Sequence, residues 1–397
     1  MKVFVFDLLQ YGEHLDHLRV DGALPYPMEK KYFKPETAVR TYKEHLDAWV
    51  ELERMGFDGV GFNEHHVTPY GLMNSPNLLA ASIAQRTNKL KLLIYGNLLP
   101  IHDPLRLAEE IAMLDCLSNG RIICGIARGA PREYKVFNIP LDESRARFDE
   151  AYQIMRRAWS EQSFSYDGEF HQYENIALWP RPVQDPMPVW MPVSRSKDSI
   201  EFAAANDIPI TPGATFGGAR EDTIKYYAAC LAKRGHRITP GHLNIQVDAY
   251  IADSREKAIA EYGPYVAYFH NVLFNFDHVR MSTVGGYFQK DSTSHLRPEL
   301  RQAAHDDSGR VRDLTVDDIV KRAEAAAWGP PDYVAEQIIA QAEAAGAETL
   351  LVSMNRGAMP QDMFLNQIHR FGKEVLPRLQ EHKITRVPFA EAAEIGA

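Results

Sequence analysis

Residues 91–129, KLLIYGNLLPIHDPLRLAEEIAMLDCLSNGRIICGIARG, hold one complete repeat of the fold. The apolar run Lys91 to Tyr95 reads as a strand, Leu105 to Leu117 sets apolar residues at helical spacing, Gly120 stops the helix, and Arg121 to Ile126 is a second apolar strand. Apolar strands alternating with helices mean a parallel sheet covered on its outer face. The pattern extends in both directions. Lys2 to Phe6, Gly59 to Phe62, Val189 to Val193, Ile208 to Ile210, Leu243 to Tyr250 and Thr349 to Val352 bring the strands to eight. Thr41 to Met55, Arg145 to Trp159, Ser254 to Tyr262 and Tyr333 to Ala345 supply helices between them. Eight repeats with no second core predict an α/β fold of the (β/α)8 TIM barrel type with insertions. A doubly wound open sheet is the alternative.

A length of 397 residues suits one barrel with insertions. Residues 1–380 are expected to form that single domain and 381–397 a C-terminal tail. Two stretches interrupt the rhythm. Ser163 to Pro186 carries the turn-forming Asp167-Gly168 and Trp179-Pro180-Arg181-Pro182, whereas Phe274 to Asp313 is long, polar and glycine-containing. Loops of that length in a compact domain are usually functional or disordered, and 274–313 is expected to be a mobile lid.

Acidic residues outnumber basic ones by 53 to 44 with no basic run, which argues against nucleic acid as a partner. Three cysteines without CxxC spacing give neither a disulfide framework nor a zinc knuckle, and fit a reducing cytoplasm. No stretch approaches the roughly 20 apolar residues of a membrane span. The expectation is a cytoplasmic homo-oligomer that touches no membrane.

In parallel barrels the chemistry sits where strands end, at the carboxyl face. Five places stand there: Asp7, Glu64-His65-His66, Asn97, Arg128 and Ser194 to Ser199. An imidazole titrating near neutrality suits proton transfer, although a hydrogen-bonded rim explains the same residues. A metal site fits less well, since Glu64-His65-His66 is not HExxH and adjacent strand residues point to opposite faces. Arg128 lies between glycines in Gly125-Ile126-Ala127-Arg128-Gly129, so backbone can approach a ligand while the guanidinium offers a fork for phosphate oxygens. Ser194 to Ser199 opens a helix, where free amides, hydroxyls and Arg195 suit an anion. Plain surface ion pairing and helix capping are the competing readings. No GxGxxG follows a strand and no GxxxxGK[ST] is present, which argues against a dinucleotide pyrophosphate or P-loop triphosphate. A pocket lined by Tyr11, Phe62, Tyr70 and the lid would suit an apolar or aromatic molecule.

The order of these motifs resembles one family. Gly56-Phe57-Asp58-Gly59-Val60, Glu64-His65-His66 and Asn74-Ser75-Pro76 are similar to the second strand region of the bacterial luciferase-like flavin-dependent monooxygenases. The block from Leu99-Pro100 through Asp103 to Glu109, Leu114-Asp115, Ser118-Asn119-Gly120-Arg121 and on to Gly129 resembles them element by element. Ala203-Ala204, Ile208-Pro209, Gly329-Pro330-Pro331 and Val375-Leu376-Pro377 extend the likeness over nearly the whole chain. The resemblance implies reduced flavin mononucleotide (FMN) that reacts with O2 at its C4a position to give a peroxide adduct and oxygenates a small organic substrate. A separate NAD(P)H:flavin reductase would supply the flavin. By position, it implies His65 as the catalytic histidine, Arg128, Ser196 and Ser199 as phosphate ligands, and Gly96 and Asn97 beside the flavin ring. It also implies that the lid shields the intermediate. Ala127, Arg195 and Tyr134 depart from luciferase, which has a cysteine, an acid and an aspartate there, so light emission and aldehyde specificity do not carry over. Deazaflavin-dependent hydride transfer and a non-catalytic flavin-binding protein are the alternatives.

Overall fold

A computed structural model describes residues 1–194, 196–213, 219–275, 292–300 and 313–389. The strands are β1 (Lys2–Phe6), β2 (Gly59–Phe62), β3 (Lys91–Leu98), β4 (Ile122–Ala127), β5 (Phe164–Asp167), β6 (Gln172–Ile176), β7 (Val189–Val193), β8 (Ile210–Pro212), β9 (Asn244–Ile251), β10 (Ala327–Gly329) and β11 (Thr349–Ser353). Nine of them form one parallel sheet in the order β10-β9-β11-β1-β2-β3-β4-β7-β8. A bridge between Ile210 and Leu243 brings β8 alongside the chain entering β9. That contact completes a ring of eight, the barrel that the strand-helix alternation predicts, with β10 paired to the last residues of β9. No helix among the described residues is long and apolar enough to cross a membrane.

The strands are apolar on both faces because both faces are covered. Val3, Val5, Val60, Leu92, Ile94, Ile122 and Cys124 pack outward in the main core with the helices. Their alternates Phe4, Leu93, Tyr95, Ile123 and Leu351 form a separate cluster, with Phe6 and Trp190 against it, that fills the barrel. Near the top of this filling, Phe6 and Tyr95 meet edge to face at 6.1 Å.

Helix α1 (Pro35–Arg54) begins six residues before the expected Thr41 because Pro35 sits in its first turn, where a fixed φ and a missing N–H cost nothing. Its buried stripe includes Ala38, His45, Ala48, Trp49 and Leu52. Helices α2 (Pro76–Ala84) and α3 (Pro104–Ser118) flank β3 in the chain. Arg121 is buried and joins the ends of both helices, donating to Ala84 O (2.7 Å), Thr87 O, Leu90 O and Ser118 O (2.7 Å). Asp115 accepts from the backbone N–H and the side chain of Gln184. The Asp115 to Arg121 motif is thus a structural staple of the barrel wall.

The strand expected at Ile208 to Ile210 begins instead at Ile210. Ile208 closes helix α6 (Lys197–Ala205), its N–H donating to Ala203 O at 2.9 Å. Between α6 and β4 in the chain come α4 (Pro131–Phe137) and α5 (Ser144–Ser160). The stretch 163–186 contains the antiparallel hairpin β5–β6, whose turn is gripped by Glu150 of α5 through the N–H groups of Glu169, Phe170 and His171. Most of the expected lid 274–313, and Arg195, lie outside the described residues.

Candidate active site

A cavity of about 590 Å³ opens at the carboxyl ends of the strands, with Phe6 and Tyr95 among the barrel residues that line it. His65, Gly96, Arg128, Ser196 and Ser199, which follow four different strands or end them, all line it. Asn97 does not. It is fully buried, accepts from Asn77 of α2 at 3.0 Å and reaches Gly125 O, so it ties β3 to its neighbours. Gly96 lies so close to β4 that a Cβ there would stand 3.0 Å from the Gly125 carbonyl carbon and oxygen.

The three titratable residues after β2 separate into two systems. Glu64 is buried, with His66 Nε2 at 3.0 Å and His102 Nε2 at 2.7 Å on one oxygen and the Leu98 N–H at 2.7 Å on the other. Burial pushes its carboxyl up, but these hydrogen bonds outweigh burial and hold it below the usual range. Glu64 and His66 therefore brace the loop against β3. His65 turns the other way, toward α4.

There Arg132 Nη2 lies 3.2 Å from His65 Nδ1, and Glu133 Oε1 lies 3.6 Å from the same nitrogen. Arg132 and Glu133 are themselves a buried ion pair, Nη2 and Nε both donating to Glu133 Oε1 at 2.7 and 3.0 Å. The other Glu133 oxygen accepts from the Ala130 N–H and closes the start of α4. A guanidinium only donates, so Nδ1 must accept and the neutral ring carries its proton on Nε2. Nε2 has no partner among the described residues, and His65 lines the cavity. Burial lowers the His65 pKa below its ordinary value; Glu133 opposes this and the Arg132 charge adds to it. Arg132 also reaches the Tyr70 hydroxyl at 3.3 Å, and burial pushes that phenol up to about 12.

In the same cavity, Arg128 and Ser196 are each 7% exposed. The Ser196 hydroxyl oxygen is buried with no hydrogen-bond partner among the described residues. Behind it, Ser199 Oγ accepts from Arg145 Nη2 of α5 at 2.8 Å. Arg145 also pairs with Asp149 at 3.3 Å, and its buried Nε has no hydrogen-bond acceptor among the described residues. Two guanidinium groups and an unsatisfied hydroxyl at a helix start form a cradle for an oxyanion, and these residues fit a flavin phosphate.

Sequence reasoning did not single out Arg132, Glu133 or Arg145. No helix is expected from the sequence at Pro131 to Phe137, Arg145 stands only as the start of an expected helix, and no sequence spacing brings Arg132 to His65. Conversely, Asp7 ends β1 but is spent on the fold: it accepts from Trp49 Nε1 (3.0 Å) and the Leu9 N–H (2.9 Å), and its other partner is His45 Nδ1 at 2.5 Å. Of the three expected aromatic wall residues, Tyr70 lines the cavity. Phe62 packs on Trp49 at 4.9 Å, and Tyr11 stacks on Phe33 and accepts from the Lys34 N–H.

A closed parallel barrel whose mouth holds both an oxyanion cradle and a histidine braced by a buried Arg–Glu pair has the form of a cofactor-binding enzyme. The family model described as luciferase-like monooxygenase matches residues 23–349, and the chain belongs to that family of oxidoreductases. The alkanal monooxygenase alpha chain of Aliivibrio fischeri is 28% identical over 194 residues, 48% of this chain and 54% of that protein. The oxygenase component of the flavin-dependent trigonelline monooxygenase of Acinetobacter baylyi is 29% identical over 229 residues, 55% of this chain and 63% of that one. The matched stretch thus spans little more than half the length of these relatives. Among solved structures, the oxygenating constituent of 3,6-diketocamphane monooxygenase from Pseudomonas putida, in complex with FMN, aligns with TM-score 0.68 and 20% identity over 90% of this chain and 97% of its own. That likeness establishes the fold.

Proposed function

We propose that the chain is the oxygenase of a two-component system, taking reduced FMN from a separate NAD(P)H:flavin reductase and using O2 to oxygenate a small organic substrate. One oxygen atom enters the substrate, the other leaves as water, and reduced FMN supplies two electrons. The observation that carries this reading is the buried, unsatisfied Ser196 hydroxyl, which lines the same cavity as Arg128 and His65. Arg128, Ser196 and Ser199, with Arg145 behind them, would hold the phosphate, and Gly96 would let the ring approach β3. FMN supplies the oxygen chemistry. His65 holds a proton at Nε2 over the cavity, and the aromatic wall excludes water, which favours coupling over loss of peroxide. FMN is bound in the diketocamphane enzyme and the trigonelline enzyme is an oxygenase component, and both facts point the same way.

The test is anaerobic titration with reduced and oxidised FMN, followed by aerobic product analysis with and without a flavin reductase. Tighter binding of the reduced form and a substrate-dependent oxygenated product only in the presence of reductase are expected. Rapid flavin reduction by NAD(P)H in the isolated chain would remove the two-component part. Exclusive binding of a deazaflavin, with hydride transfer and no oxygenated product, would replace the reading altogether.

A further inference from the structure

The cavity has a second cationic end that a flavin phosphate at Arg128 leaves unused. Arg356 follows β11, and in the ring β11 stands opposite β4: β3, β2 and β1 separate them on one side, β7, β8 and β9 on the other. Arg356 therefore lines the cavity across the barrel from Arg128. Its side chain is 12% exposed, and its guanidinium lies over the Phe269 ring at 5.3 Å. It makes no hydrogen bond among the described residues. Its nearest carboxylate, Asp248, is 3.8 Å away and already accepts from Tyr262 at 3.0 Å.

Arg322, on the helix Val316–Ala325, lines the same cavity and has no hydrogen bond or ion pair among the described residues. Both cations line this one cavity together with Phe269 and His270, and both act electrostatically on Tyr262. His270 adds no charge near pH 7, because burial and then Arg322 push its imidazole down to about 4 against the opposing Asp313. The lining carboxylates are committed elsewhere, Glu133 to Arg132 and Glu64 to its two histidines. Arg356 thus has its one carboxylate beyond hydrogen-bond distance, and Arg322 has none within ion-pair distance among the described residues. A recessed guanidinium without an acceptor is poorly satisfied, and an oxyanion brought by a ligand supplies what is missing.

We propose that Arg356 and Arg322 form an anion subsite for the substrate, which carries a carboxylate on an aromatic or apolar body. This deepens the oxygenase reading and rests on it. Phe269 lies under Arg356, and Tyr70 joins Phe269 (6.2 Å) to His65 (4.7 Å), so an aromatic path leads from the anion end to the histidine. The body lies along that path and the carbon to be oxygenated points away from the carboxylate.

Calorimetric titration of the FMN-loaded protein with benzoate and with its neutral counterpart benzamide tests this. Bound FMN keeps the Arg128 end filled, so benzoate reports the other end. Benzoate is expected to bind about tenfold or more tighter than benzamide, the scale of a charge-assisted hydrogen bond. Arg356→Met should abolish most of that preference and the exposed Arg322→Met part of it, with benzamide unchanged and Arg356→Lys intermediate. Equal affinities in the parent, or a preference that survives in the double variant, would overturn the proposal. So would a loss of FMN affinity in Arg356→Met with benzoate binding intact, since the guanidinium would then serve the flavin. Should the protein take no FMN, the oxygenase reading fails on that measurement alone, and loss of the benzoate preference in Arg356→Met and the double variant, set against its retention in Arg128→Ala, decides the subsite in flavin-free protein.

Discussion

Arg132 Nη2 donates to His65 Nδ1 across 3.2 Å, and this contact fixes which ring nitrogen of His65 carries the proton. Protonating the ring would put a hydrogen on Nδ1 facing a guanidinium. Burial and the Arg132 charge both resist that, while Glu133 and Glu64 favour it. The neutral ring with its proton on Nε2 is accordingly the working form near pH 7. Product formation should fall on the acid side only below the ordinary histidine pKa of about 6.5. Arg132→Met, which removes a cation, should move that limb up in pH; Glu133→Gln, which removes an anion, should move it down. Product yield against pH in the three proteins checks the sign, and limbs that coincide would exclude His65 as the titrating group.

Glu133 also links the site to stability. Burial raises its pKa, but Arg132 and the His65 contact outweigh burial and hold it at about 2 instead of 4.5. A carboxyl depressed on folding contributes stability above pH 4.5, and that contribution is lost as pH falls toward 2, in total about 3 kcal/mol. Removing one partner of a buried pair costs roughly 3–5 kcal/mol, because the other charge is left uncompensated. Glu133→Gln should therefore be destabilised near neutrality and show a shallower loss of stability between pH 5 and 3. Urea unfolding at several pH values measures both, and an unchanged slope in acid would show that other carboxyls govern it.

The oxyanion cradle can be dissected without breaking the barrel. Losing a charge-assisted contact should cost about 1.5–3 kcal/mol, so Arg128→Ala should weaken reduced FMN binding roughly tenfold to a hundredfold. Ser196→Ala should cost less because the amides at the start of α6 persist. Arg145→Met should fall between the two, since Arg145 acts through Ser199 as well as by its charge. Anaerobic flavin titrations give the order, and thermal melts of the flavin-free proteins control for folding. Equal affinity in Arg128→Ala would remove that residue from the site.

The barrel was legible because apolar runs such as Lys91–Tyr95 and Thr349–Val352 can be buried on both faces only in a parallel sheet. Individual boundaries were less so. Ile208 is as apolar as Ile210, and only the way α6 ends decides that it caps a helix. The rule that strand ends carry chemistry picked out His65, Arg128, Ser196 and Ser199, which line the cavity, but also Asp7 and Asn97, which do not. Nothing local reveals that α1 delivers His45 and Trp49 to Asp7, or that α2 delivers Asn77 to Asn97. Arg132 was missed for the complementary reason. Its partner His65 is 67 positions away, and their meeting depends on how α4 folds back over the loop after β2.

The adjacent histidines give the sharpest test of the active-site assignment, because the fold sends them to different partners. His66 is committed to Glu64, and its ring packs on Phe137 at 4.7 Å, whereas His65 lines the cavity with no partner on Nε2 among the described residues. General acid–base assistance or a positioned hydrogen bond is typically worth ~10²–10⁴-fold in rate. His65→Ala should therefore bind reduced FMN nearly normally and still consume O2, yet release that oxygen as hydrogen peroxide with little oxygenated product. His66→Asn keeps a hydrogen-bonding side chain beside Glu64. Its product yield should stay close to the parent's, with at most a modest loss of thermal stability from the loosened brace. Product, peroxide and O2 measured together separate coupling from turnover, and flavin titration separates both from binding. If the His65 variant stayed coupled while the His66 variant released peroxide, the cavity would be using the histidine that the structure gives to Glu64, and the tautomer argument built on Arg132 would fall with it.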